Sequence, residues 1–114
     1  MIQDLTRALT HDLKKTAIES EDEFVFPYPE VISVIRIASE HEIAILGVEA
    51  FEVRTDGLKV VDYSGYEFQF TGDWQAFVKT NNAEAARFIE AHRLGENHGY
   101  ILTSASSREF ASLK

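Results

Sequence analysis

The sequence predicts an α+β domain, a small and mainly antiparallel sheet built on a central hairpin and packed with about three helices. Three observations carry this. Residues 43–53, IAILGVEAFEV, are nearly all apolar, β-branched or aromatic, which suits a strand covered on both faces. Thr55, Asp56 and Gly57 follow as a turn, because glycine, and less readily aspartate, accepts the positive φ of a tight reversal. Apolar residues at three- and four-residue spacing mark helices within residues 1–20, 29–40 and 74–93. At 114 residues the chain is expected to form one domain, residues 1–114, with a single core.

Residues 1–20 read as a helix: Ile2, Leu5, Leu9 and Leu13 recur at helical steps and Ala17 extends the stripe. Arg7, His11, Lys14 and Lys15 lie off it and form a small basic face, for which solvation is the commoner role. Residues 19–23 are nearly all acidic. Phe24, Val25 and Phe26, with Pro27 and Pro29, predict an extended connector pinned down by its aromatics. Residues 29–40 admit two readings. Val31, Val34, Ile35 and Ala38 make a helical stripe, while residues 31–37 also alternate tolerably as a strand. Helix is preferred, because Pro29 and Glu30 suit a first turn, where proline loses no bond and a carboxylate meets the positive dipole end.

Within the hairpin, Gly47 predicts a bulge or a close backbone approach. Strand alternation puts Glu49 on one face with Ile45, Phe51 and Val53, where burial would demand a partner. A two-residue turn at Asp56-Gly57 sets Arg54 opposite Lys59. A three-residue loop with Gly57 left-handed avoids that like-charge pair and is preferred. Residues 58–63 return as the second strand, and residues 66–70 continue or restart it after Ser64 and Gly65. Asp73 can cap the next helix, whose stripe is Trp74, Phe77, Val78, Ala85, Phe88 and Ile89. Asn81 and Glu84 have capping-box spacing, which allows a break and restart there. Gly95 stops the helix. Residues 96–99 form a loop, 100–103 a short strand and 109–113 a last helical turn.

Eleven Lys and Arg stand against 19 Asp and Glu, a formal charge of −8. Such a surface repels nucleic acid and anionic membrane and is compatible with a basic partner. Acidity for solubility alone is the competing explanation. With no cysteine there are no disulfides, thiolates or cysteine zinc sites. The N-terminus lacks the basic-then-apolar order of a signal peptide, and no apolar run reaches the ~18 residues of a membrane span, so a cytoplasmic protein is expected.

No spacing spells out a reaction. His11, His41, His92 and His98 include no helical pair four apart, so no metal site is expected. The six glycines match no phosphate cradle, and no cofactor is expected. Ser104, Ser106 and Ser107 lack a nucleophile-elbow context. Carboxylate pairs such as Glu40 with Glu42 arise by chance in so acidic a chain. The reading is therefore not an enzyme. Its alternative is a small enzyme or ligand-binding domain using Glu49 in a covered pocket.

The positive signal lies around residues 62–70, where Tyr63, Tyr66, Phe68 and Phe70 interleave with Asp62, Glu67 and Gln69. Tyrosine offers contact area at low entropic cost, and neighbouring acids select a basic counterpart. The same residues also suit an ordinary strand, with aromatics inward and acids in solvent. A docking face is expected at Glu21, Asp22 and Glu23 in the connector, with Asp62, Tyr63, Tyr66 and Glu67 astride the Ser64-Gly65 break, since loops and strand breaks carry binding groups.

The run Ile45-Leu46-Gly47-Val48-Glu49-Ala50-Phe51-Glu52-Val53, led by a proline-started helix and followed by a hairpin and Trp74, resembles small immunity proteins of bacterial polymorphic-toxin and contact-dependent-inhibition systems. Some of those carry a helix followed by Leu-Gly-Gly-acid-x-aromatic. Leu46, Gly47, Glu49 and Phe51 match it, and Val48 stands where the second glycine falls. The similarity covers residues 29–74. It implies a protein that binds and blocks one toxin and performs no catalysis. Such families differ in the face they use, so no binding residue transfers by position. The expected partner is a cognate toxin domain, basic and of nuclease type, held by a monomer or weak homodimer. A further structural reading has the apolar strand 43–53 covered by a second copy of the chain.

Overall fold

The computed structural model describes residues 4–9, 11–20, 23–65, 73–91 and 98–112. The elements run α1 (Asp4–Ala8), α2 (His11–Thr16), β1 (Ile18–Ser20), β2 (Glu23–Pro27), α3 (Glu30–Glu40), β3 (Ile43–Arg54), β4 (Gly57–Gly65), α4 (Trp74–Ala91), β5 (His98–Ser106) and α5 (Ser107–Ser112). The α+β class and the antiparallel sheet built on the β3–β4 hairpin are as the sequence predicts. Among the described residues the sheet has five strands in the order β1-β2-β5-β3-β4, every pairing antiparallel. Five helices are described, of which α3 and α4 are the long ones.

Four local expectations are corrected. The N-terminal helix is two short helices, and residues 18–20 leave it for β1. The stripe itself is real: Leu5 and Leu9 are buried, with Leu13 and Ala17 packed against the same core. The acidic stretch and its aromatic connector form a β1–β2 hairpin instead of a loop. Its register sets Glu19 opposite Phe24 and Ser20 opposite Glu23, so no two acids face each other. The hairpin turn is Thr55-Asp56, with Arg54 paired to Gly57. This register, one residue from that of the expected three-residue loop, sets Glu52 opposite Lys59, an attractive pair. Gly57 keeps a positive φ of 134°. Finally, β5 runs nine residues, because it is an interior strand paired to β2 and β3.

The core lies between the helices and one face of the sheet. Val31, Val34, Ile35 and Ala38 of α3, with Ala85 and Ile89 of α4, pack on Phe26, Ile43, Ile45, Val48, Ala50, Tyr100 and Leu102. The inward set of β3 changes parity between Ile45 and Val48. The register of β3 with β5 shifts between Ile45 and Gly47, a bulge beside the glycine that predicted one. Glu49 therefore does not share a face with Ile45. It stands on the opposite face with Phe51, where Val25, Phe51 and Ile101 form a second small cluster. Ile43, Ile45, Val48 and Ala50 are thus covered by the chain's own helices, while Leu46, Glu49 and Val53 on the other face are half-buried.

The α4 helix is continuous, with no restart at Asn81. Among the described residues, β4 pairs with β3 from Gly47 onward, and residues 43–46 have no β4 partner. The side chains of Asn81 and Asn82, both buried, fill that role. Asn82 Oδ1 accepts the Ile45 N–H at 2.8 Å and Asn82 Nδ2 donates to the Ile43 carbonyl at 2.8 Å. Asn81 Nδ2 donates to the Ile45 carbonyl at 2.6 Å. These amides mimic a strand edge, which explains two polar residues inside an apolar stripe.

Candidate functional site

The described surface brings exposed apolar groups to an open edge of the sheet. β4 is the last strand, and no described strand pairs with its outer side. Lys59, Val60 and Val61 are exposed, and the two valines, at 55% and 43%, are the large apolar side chains that the described surface leaves out. The cause is local. Phe51 pairs with Val60 and Ala50 with Asp62, so Val61 is the extra residue of a bulge. Regular alternation turns one of two adjacent valines inward; the bulge on an edge strand leaves both in solvent.

Asp62 and Tyr63 follow directly in β4, at the register positions of Ala50 and Glu49. Glu23 opens β2, opposite Ser20. Glu21, Asp22, Tyr66 and Glu67 lie outside the described residues. Strand order separates β2 from β4 by three spacings, roughly 14 Å. Phe26, Tyr100, Ala50 and Asp62 share one row across the sheet. Since β2 and β3 run the same way, Glu23 stands near the level of Gly47 and Gly65. Glu23 and Asp62 thus lie on opposite flanks of the sheet, and strand pairing does not join them.

Glu49 is half-buried, in register with Ile101 on one side and Tyr63 on the other. It does not line the cleft at the α3–α4 junction. That cleft, about 330 Å³, is lined by Ser39, Glu40, Glu42, Gln75, Val78 and Lys79. Its floor is tied together at Glu42. Trp74 Nε1 donates to the Glu42 carbonyl at 2.7 Å, and Gln75 Nε2 donates to the Glu42 carboxylate. Glu40, Glu42, Gln75 and Lys79 are exposed to water, so the cleft lacks the low-dielectric setting that drives acid–base chemistry. Among the described residues no three His, Asp or Glu are placed to hold a metal ion.

Among the described residues, two carboxylates have perturbed acidity. A hydrogen bond from Arg54 holds Glu52 below its ordinary range, helped by the charges of Arg54, His98 and Lys59. The Ser106 hydroxyl, followed by Arg108, does the same for Asp4. Both are structural arrangements. Glu52 steadies the hairpin end. Asp4 joins the chain's two ends at a capping box, in which Ser106 Oγ accepts the Glu109 N–H at 3.2 Å and Glu109 accepts the Ser106 N–H at 2.9 Å.

Among the basic residues off the first stripe, Arg7, His11 and Lys15 are exposed and Lys14 is half-buried. The exposed valine pair was not singled out from sequence. Its signal was present, since two adjacent β-branched residues in an edge strand break the period of two. No family model, curated protein or solved structure matches the chain.

Proposed function

We propose that this chain is an immunity protein that binds a cognate bacterial toxin and neutralises it by occluding the toxin's active site. The observation that supports this best is β4, the outermost described strand, where exposed Val60 and Val61 are followed by Asp62 and Tyr63. An apolar contact flanked by acids and tyrosine suits a protein surface of basic character. The net charge of −8 attracts such a surface from a distance, and the active site of a nuclease is one. The resemblance across residues 29–74 points the same way. On this reading the protein works in the cytoplasm, by binding alone, without cofactor or metal.

The test is growth. Tagged chain recovered from its host should carry a polypeptide that arrests growth when expressed alone and is silent when co-expressed with this chain. Failure of co-expression to restore growth sinks the reading. With the partner in hand, Asp62→Asn combined with Glu67→Gln should slow association and flatten its salt dependence. Tyr63→Ala and Tyr66→Ala should speed dissociation, at about 2 kcal/mol for a hot-spot anchor. Unchanged kinetics in all of these places the interface elsewhere.

A further inference from the structure

We infer that the cleft at the α3–α4 junction is a pocket for one arginine side chain of the partner. This rests on the toxin-binding reading for the protein that supplies the arginine, but the pocket can be tested without a toxin. The cleft, about 330 Å³, falls at the small end of ligand sites, which run from ~300 to ~1,000 Å³. Val78, only 2% exposed, gives it an apolar wall, and Glu40, Glu42, Gln75 and Lys79 stand around it in water. An apolar wall below a polar rim fits a long side chain with an aliphatic stem and a charged head.

The rim selects the charge and shape of that head. Glu40 and Glu42, with Asp73 capping the Gln75 N–H, outnumber Lys79, and α3 ends here with the negative end of its dipole. Among the described residues Glu40 and Lys79 form no ion pair with each other. Glu42 is fixed before anything binds, since its carboxylate accepts Gln75 Nε2 and its carbonyl accepts Trp74 Nε1. A guanidinium spreads its donors in a plane, which suits carboxylates and the Gln75 amide oxygen together better than a single ammonium does. The place fits as well. Asn81 and Asn82 hold β3 at Ile43 and Ile45 on the side away from β5, the flank on which β4 pairs from Gly47 onward. Glu42 thus stands roughly 20 Å along β3 from the pairing of Glu49 with Tyr63, at ~3.3 Å per residue. One interface of ordinary size, about 800 Å² per partner, spans both.

The experiment is titration of the purified chain with a capped arginine, acetyl-arginine amide, followed by amide NMR. Capped citrulline is the neutral isostere. Arginine should shift the amides of Glu42, Gln75 and Lys79 saturably, with a Kd of about 1 mM or weaker, and citrulline should not. Glu40→Gln combined with Glu42→Gln should weaken binding by about tenfold, whereas Lys79→Ala should tighten it by about twofold. That opposite sign is one a merely structural role would not produce, and urea midpoints show whether the variants are folded. Wild type without saturable shifts overturns the proposal. So does binding that citrulline matches, or that the double variant retains in full. With a toxin in hand, the double variant should also speed its dissociation. The growth assay judges the toxin reading and the titration judges the pocket, so either can fail without the other.

Discussion

The sharpest consequence of the fold concerns Asn82, which is only 1% exposed. Asn82→Ala removes the acceptor of the Ile45 N–H and the donor to the Ile43 carbonyl in one step. It also removes a donor to Ser39 Oγ, which keeps its own bond to the Ile35 carbonyl. Two buried backbone groups are left without those partners, at about 1–3 kcal/mol each. A small cavity adds to this. The expected loss is about 3–5 kcal/mol, a large part of the ~5–15 kcal/mol that holds a domain together. Asn81→Ala gives up its buried bond to the Ile45 carbonyl and a longer one to Asn82 Oδ1, and should cost about 1–2 kcal/mol. Asn82→Asp keeps the acceptor for Ile45 but sets an oxygen against the Ile43 carbonyl. Burial disfavours its charge, so its folded pKa lies above the unfolded one. Its destabilisation should therefore grow as pH rises through the ordinary aspartate range. The assay is urea unfolding, read as a shift in midpoint at constant slope. Hydrogen exchange at the Ile45 amide adds a local reading and should lose protection in Asn82→Ala. If Asn82→Ala costs no more than the exposed control Lys79→Ala, about 0.5 kcal/mol or less, the strand-edge role is refuted.

Further outcomes follow from single positions. A Cβ at Gly99 would clash with Val25 Cγ1, so Gly99→Ala should cost about 1–3 kcal/mol. Val25→Ala in the same chain should then cost less than it does alone, which a double-mutant cycle would show. Glu42 ends α3 with a positive φ of 58°, so Glu42→Gly should raise the thermal midpoint by relieving up to ~1 kcal/mol of strain; a lowered midpoint would give its bond to Gln75 the greater weight. Asp4 has its folded pKa depressed by Ser106 and Arg108. Its contribution is present above the unfolded value and lost as pH falls through the folded one, so Asp4→Asn should flatten the acid side of a stability–pH curve.

Much of the fold was legible because local signals agreed with it. Pro29 and Glu30 with the apolar stripe of α3, the Trp74 stripe of α4, the β3–β4 hairpin and the bulge at Gly47 are all short-range chemistry. Where local signals were weak, pairing decided. Residues 18–20 and 23–27 carry no strong alternation and become strands because one pairs with the other and the second with β5. The register of the hairpin was misread by one residue because two turns of similar quality were available. The Glu52–Lys59 match, visible only once the strands are laid side by side, accompanies the other choice.

The candidate site divides in the same way. The sequence by itself determined an acidic surface, the absence of any cysteine chemistry and the interleaved tyrosines and acids around residue 63. Those are properties of composition and of neighbours along the chain. Only the tertiary structure decided that Glu23 and Asp62 lie three strands apart, that Glu49 faces away from Ile45, and that Val60 and Val61 stand together in solvent. Each of these turns on sheet order or on a single extra residue in a strand. A bulge reverses every side chain beyond it, and a strand's place in the sheet depends on partners distant in sequence, so neither can be read from a window of neighbouring residues.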